Sequence, residues 1–233
     1  MTRLPVRFSI DERGSLTVAE AGPRDAASLL THARQVARES DFLSAGPGER
    51  TRRLEAQVAF LRRLQSNGAG FVLKGTVSGR LVAVLSVVRP SQPRLHHRAE
   101  LGLAVRAAHW GHGIGRRMGE VAIALATERG LRKLNLRVRA DNRRAIGLYQ
   151  ALGFSREGLS PRALCVHGRF FAEVMMGLCL PTNSRVESPP ASPAAHHRGR
   201  AWRGRASASG AGAGREGAEG RSEPSQGSHV KVT

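Results

Sequence analysis

The sequence predicts a mixed α/β (α+β) domain over residues 16–180. A strand or lead-in precedes it over residues 1–15, and an extension follows over 181–233. Three observations carry this. Short apolar runs with period two alternate with longer stretches of period about 3.6. A strand–helix–strand order in the middle of the chain requires a parallel strand pair inside a mostly antiparallel sheet. Composition changes near Leu180, after which Gly, Ser, Pro and Ala dominate.

The elements follow in order. Val6–Ile10 and Leu16–Ala21 read as strands around a Glu12–Ser15 turn. Pro23 opens a helix with Ala26, Leu29, Leu30, Ala33, Val36 and Ala37 on one face. A second helix spans about Arg50–Gln65, its stripe being Leu54, Val58, Leu61 and Leu64. Phe71–Val77, the turn Ser78-Gly79-Arg80 and Leu81–Val88 form a hairpin. Ala99–Val105 alternates, with Leu101, Leu103 and Val105 on one face and Glu100, Gly102 and Ala104 on the other. A helix from about Gly113 to Arg129 turns Ile114, Met118, Val121, Ala122 and Leu125 inward. Then come a strand carrying Leu134, Leu136 and Val138, a helix over about Asn142–Leu152, and a last strand near Phe170–Leu180.

Charge and composition narrow the function classes. The net charge is +19, which alone suggests nucleic acid. All but three of the 37 basic residues are arginine, however, and they are spread along the chain. Heavy Arg, Ala and Gly usage is also what a GC-rich genome produces, so a nucleic-acid partner is not expected. No run of about 18 uncharged apolar residues exists to span a membrane, and the N-terminus lacks the apolar core of a secretion signal; the expected compartment is the cytoplasm. Cys165 and Cys179 fit no zinc spacing, so no metal is expected, and they read as reduced, partly buried thiols. In the extension, Val186, Trp202, Val230 and Val232 are the only large apolar residues, too few to offset ordering entropy, so disorder is expected there.

The informative stretch is Val105-Arg-Ala-Ala-His-Trp-Gly-His-Gly-Ile-Gly-Arg-Arg-Met118. A strand ends, a glycine-rich turn follows, and an amphipathic helix begins. Successive N–H groups at such a helix start converge on one spot at the positive end of the helix dipole, which suits a phosphate or pyrophosphate. Gly111, Gly113 and Gly115 permit close approach, and Arg116 and Arg117 add charge. A plain connecting turn would look the same. A dinucleotide site needs a different glycine spacing and an acidic residue after the next strand, which here ends Arg137-Val-Arg139; a phosphate-loop nucleotidase needs Gly-Lys-Ser/Thr.

The next stretch adds Asn142-Arg-Arg-Ala-Ile-Gly-Leu-Tyr149-Gln-Ala-Leu-Gly-Phe154. Together the two segments resemble the GNAT acetyltransferase superfamily. Trp110-Gly-His-Gly-Ile-Gly115 is similar to its acetyl-CoA pyrophosphate loop, and Asn142 to Phe154 to its second cofactor segment. Glu157-Gly158 and the Met175-Met176 strand fit as well, so the resemblance runs from about Thr17 to Leu180. Trp110 departs from the Gln or Arg usual there, which removes one side-chain contact and leaves the backbone cradle. The resemblance implies a GNAT fold whose parallel strands splay apart, with helices flanking the sheet. It implies cofactor contacts from Leu103, Ala104, Val105, Gly111, His112, Gly113, Ile114, Gly115, Arg116, Asn142 and Tyr149, and acetyl-CoA as co-substrate.

Acetyl transfer needs a neutral amine, a donor for the oxyanion and a proton for the departing thiolate. By resemblance, the Val105 N–H polarises the thioester carbonyl and Tyr149, the only tyrosine, donates to the sulfur. Tyr149 also belongs to the apolar stripe Ala145, Ile146, Tyr149 and Leu152. Glu100 is the candidate base, acting through water, or else a surface carboxylate paired with Arg98. His109 and His112 are alternatives that read better as loop residues. Asn142 caps the last helix. The acceptor is an amine on a small molecule or a protein. It would bind between the N-terminal helices and a Ser160–Arg169 loop, with Glu39-Ser-Asp-Phe-Leu43 unassigned. A homodimer is compatible with all of this. The competing functions are an acetyl-CoA-binding module without chemistry and a basic nucleic-acid binder.

Overall fold

The computed structural model describes residues 2–10, 14–44, 46–48 and 53–181. Arg50–Arg52, where the second helix was expected to begin, and the extension from Thr182 onward lie outside the described residues.

Eight strands form one sheet in the order β1-β2-β3-β4-β5-β6-β8-β7. They are β1 (Val6–Ser9), β2 (Ser15–Glu20), β3 (Gly70–Val77), β4 (Arg80–Val88), β5 (Arg98–Val105), β6 (Lys133–Arg139), β7 (Ser155–Val166) and β8 (Arg169–Cys179). Every neighbouring pair is antiparallel except β5 and β6. The helices are α1 (Ala26–Glu39), α2 (Leu54–Ser66), α3 (Ile114–Glu128) and α4 (Arg143–Ala151). The fold is the expected mixed α+β architecture.

Two apolar layers hold the helices to the sheet. One face joins α3 and α4 through Ile114, Met118, Ile146 and Tyr149 to Leu85, Leu101, Leu103, Leu134, Leu136 and Val138. The other joins α1 and α2 through Leu29, Leu61 and Leu64 to Val72 and Val84. Because helices cover both faces of β5, Gly102 and Ala104 are buried along with Leu101 and Leu103. Both faces of this alternating strand are therefore covered.

Several elements differ in detail. Pro23 begins a short 3-10 turn, Pro23–Asp25, and the α-helix starts at Ala26. On α1 the buried set is Ala26, Leu29, His32 and Val36, and Ala33 faces solvent. The helix is rotated so that His32 completes the i, i+3, i+7 stripe. Leu54, at the first turn of α2, is 46% exposed, and Phe60 is buried instead. The Ser160–Arg169 loop does not exist as such: β7 runs to Val166 and turns into β8 at His167-Gly168. Pro161 and two register shifts, between Arg156 and Gly158 and between Ser160 and Leu164, hide that strand's periodicity. Both cysteines are exposed free thiols rather than partly buried ones, since each lies on a hairpin strand at the edge of the sheet or at its end.

Candidate active site

β5 and β6 pair only over Arg98↔Lys133, Ala99↔Leu134 and Glu100↔Asn135, and then diverge. The Arg106 N–H donates across to the Val82 carbonyl of β4 at 2.9 Å, while the His97 carbonyl accepts from Arg132 beside β6 at 2.7 Å. Even-numbered backbone groups of β5 therefore face β4, and odd-numbered ones face β6. The N–H groups of Leu103 and Val105 are thus turned into the opening between the strands. A cavity of about 290 Å³ fills that opening, with Leu103, Ala104 and Val105 on one lip and Arg137 and Val138 on the other.

The glycine turn closes one end of the cavity. Gly111 and Gly113 have φ of 84° and 72°, the left-handed region, and a Cβ at either position would meet no protein atom within 4 Å. Gly113 is the N-cap of α3 and offers no side-chain cap, so the first N–H groups of the helix are left for a ligand. Arg116 and Arg117 donate to Glu120 at 3.0 Å each, and Arg116 still borders the cavity. Trp110 repays its departure from the motif in another way. Its indole Nε1–H donates to the Val105 carbonyl at 2.8 Å, and the Arg144 guanidinium lies 4.2 Å from its ring centroid. The turn is thereby tied to the end of β5, and a cation from α4 stands beside it.

The turn is also anchored from α1. Glu39 accepts from Arg106 Nε at 2.7 Å and from the Ala107 N–H at 2.8 Å, and Gln35 accepts from Arg106 Nη1 at 2.6 Å. Partial burial would raise the Glu39 pKa, but the Ala107 and Arg106 hydrogen bonds outweigh it and hold the carboxyl below its ordinary value.

On α4, Asn142 accepts from the Ala145 N–H at 3.1 Å and caps the helix. Tyr149 is 4% exposed, with its ring edge-on to Phe154 at 5.8 Å. Burial alone drives its pKa well above the ordinary phenol value, so the hydroxyl is held protonated.

Of the expected cofactor contacts, Leu103, Ala104, Val105, Gly111, Gly113, Ile114, Gly115, Arg116, Asn142 and Tyr149 all border this one cavity. His112 does not; it lies between two glycines that do. Glu100 does not either. It lies five residues before Val105, in register with Val88 of β4 and Asn135 of β6. His109 does border the cavity. Sequence reasoning missed Val36, Ser40, Phe42, Leu43, Arg137 and Arg144, which also line it. The segment 160–169 contributes nothing to the lining. Among the described residues no cluster of His, Cys, Asp and Glu is placed to hold a metal ion, and no helix is long and apolar enough to cross a membrane.

Comparison with known proteins decides the family. Residues 27–154, more than half of the chain, match the model of the Acetyltransferase (GNAT) family. The chain belongs to that family. Among solved structures, a GNAT acetyltransferase from Streptococcus pneumoniae is 28% identical, with a TM-score of 0.68 over 71% of this chain and 99% of that one. A ribosomal-protein-alanine N-acetyltransferase from Brucella melitensis is 25% identical, with a TM-score of 0.62 over 70% and 99%. The yncA protein from Salmonella typhimurium, solved with its cofactor acetyl-CoA, shares the fold at 22% identity, with a TM-score of 0.66 over 76% and 98%. No curated protein matches the chain.

The GNAT site here fits acetyl-CoA on its own geometry. The open cradle at Gly111 and Gly113 leaves room for a pyrophosphate against the start of α3. The inward N–H groups of Leu103 and Val105 leave an unpaired strand edge along which an amide-bearing arm can lie.

Proposed function

We propose that this GNAT chain is an N-acetyltransferase that moves the acetyl group of acetyl-CoA to a primary amine. One observation carries the reading: a backbone donor at Val105 and a protonated phenol at Tyr149 border the same cavity as the phosphate cradle. Acetyl-CoA supplies an activated acyl group as a thioester. The glycine turn holds its phosphates, and Val105 N–H, fixed because the neighbouring residue pairs with β4, is aimed where negative charge develops on oxygen. Tyr149 donates a hydrogen bond to the departing sulfur. The acceptor ammonium must lose a proton. His109 borders the cavity and takes it directly, whereas Glu100 shares a β5 face with Ala104 about 13 Å along the strand and acts only through water.

The test is a thermal-shift titration with acetyl-CoA followed by CoA-thiol release against a panel of primary amines. Acetyl-CoA binds the folded state and raises Tm, and release requires an amine. A Tm that does not move at saturating acetyl-CoA removes the reading. A Tm shift without release on any amine leaves a binding module in its place.

A further inference from the structure

Arg137 and Arg139 stand two residues apart on one face of β6, and their guanidinium groups are used in opposite ways. Arg139 is 7% exposed. Its Nε and Nη2 donate to the two carboxylate oxygens of Asp141 at 2.7 and 3.0 Å, and its Nη1 donates to the Asp41 carbonyl at 2.9 Å. Its guanidinium carbon lies over the rings of Phe42 and Phe171, 4.4 and 4.1 Å from their centroids. Arg139 is fully engaged in holding the segment after α1 against the sheet.

Arg137 is not engaged in this way. Its side chain is 44% exposed and borders the cavity, and its ion-pair partner Glu173 is 4.0 Å away, beyond hydrogen-bond reach. Among the described residues no acceptor takes a hydrogen bond from it. Its flanking residues Leu136 and Val138 are buried in the layer with α3 and α4, so Arg137 projects from the opposite face. On that face Val36, Ser40, Phe42 and Leu43 line the same cavity. The cavity therefore runs from the phosphate cradle, through the opening between β5 and β6, to a wall that is apolar apart from Ser40 and one available guanidinium. No carboxylate lines it. A simple cationic amine finds no counter-charge there, while a carboxylate finds a forked donor in a partly desolvated place.

We propose that the acceptor carries a carboxylate beside its amine, as an α-amino acid with an apolar side chain does, and that Arg137 binds that carboxylate. This rests on the acetyl-transfer reading above. The amine nitrogen bonds to the acetyl carbon as the carbon–sulfur bond breaks. The sulfur leaves with the electron pair and gains a proton, and the nitrogen loses one to solvent or base. The products are an N-acetyl amino acid and CoA thiol. Free amino acids and peptide N-termini both present an α-amine, but only the free amino acid carries a carboxylate beside it; in a peptide that carbon is an amide.

The experiment compares L-methionine, L-methioninamide, the dipeptide Met-Ala and the polyamine spermidine as acceptors, with CoA-thiol release as readout. L-Methionine is expected to give the highest kcat/KM, at least tenfold above its amide and the dipeptide. In Arg137→Gln its KM rises about 10–100-fold while the acetyl-CoA dissociation constant holds, and Arg137→Lys recovers part of the loss. A second measurement needs no turnover: N-acetyl-L-methionine stabilises the wild type in a thermal-shift assay, and its amide does so far less. Preference for the amide, the dipeptide or spermidine overturns the carboxylate assignment and leaves acetyl transfer standing. Equal losses on all acceptors in Arg137→Gln also overturn it. Failure of acetyl-CoA to bind, or of any amine to release CoA, removes acetyl transfer and this inference with it.

Discussion

Glu39 holds the first two residues beyond β5, accepting from Arg106 Nε at 2.7 Å and from the Ala107 N–H at 2.8 Å. One carboxylate at the end of α1 thus fixes the chain at the point where the strand becomes the glycine turn. Removing it by Glu39→Ala leaves the Ala107 N–H and the Arg106 Nε–H without their acceptor, which costs about 1–3 kcal/mol. A lower Tm together with weaker acetyl-CoA binding is expected. Normal cofactor affinity would show that the turn keeps its position without α1.

The same bond fixes a pH dependence. The folded state favours ionised Glu39, since its hydrogen bonds hold the carboxyl below the ordinary value of 4.5. Its contribution is complete above that value and is lost as pH falls through the lowered folded one. In denaturant melts between pH 3 and 7, the stability gap between wild type and Glu39→Gln therefore narrows as pH falls. A gap that stays constant over this range would deny Glu39 the linkage.

Gly113 and Gly130 provide a matched pair at the two ends of α3. Their φ angles are 72° and 73°, and a Cβ at either site would meet no protein atom within 4 Å. Replacement by alanine strains the backbone equally, by about 1–2 kcal/mol. Only at Gly113 does the added methyl enter the phosphate cradle. Gly113→Ala is expected to lose at least tenfold in acetyl-CoA affinity by calorimetry, and Gly130→Ala to keep it. Equal losses would make strain the cause rather than ligand approach.

Tyr149→Phe removes a hydroxyl and keeps the ring against Phe154. The single-turnover rate is expected to fall by about 10²-fold, the lower end for a general acid, because a thiolate leaves readily. Acetyl-CoA binding should hold. Because burial raises this phenol's pKa above its ordinary 10.0, the wild-type pH–rate profile should show no alkaline limb from Tyr149 below that pH. An unchanged rate would reduce the residue to packing.

Local pattern made the cofactor half of the site legible. The glycine turn, the cap at Asn142 and the tyrosine stripe are contiguous segments whose spacing carries their geometry. The part of the cavity proposed for the acceptor was not legible, because it is assembled from residues that only meet in the fold. Arg137 and Arg139 look alike in sequence. Arg139 is set apart by Asp141, two residues on, and by Phe42, Asp41 and Phe171, on elements far apart in the chain. Glu39-Ser-Asp-Phe-Leu43 had no motif because Glu39 turns to Arg106 and Ala107 while Asp41 and Phe42 meet Arg139, all of them remote in sequence. β7 was hidden by Pro161 and by bulges that break the period-two signal. Glu100 drew attention by lying on the strand that leads to the turn, yet position along a strand does not say which part of it the cavity reaches.

The divergence of β5 from β6 gives one strand two regimes of solvent exchange. Amides of Gly102 and Ala104 point into the ladder with β4 and are released only when the sheet opens. Those of Leu103 and Val105 point into the cavity, where water reaches them in the ligand-free protein. Protection against deuterium should therefore alternate residue by residue along the last turnings of β5. Filling the cavity should slow the exposed set alone and leave its neighbours as they were. The strand carries its own reporter of occupancy, legible without an acceptor and without turnover.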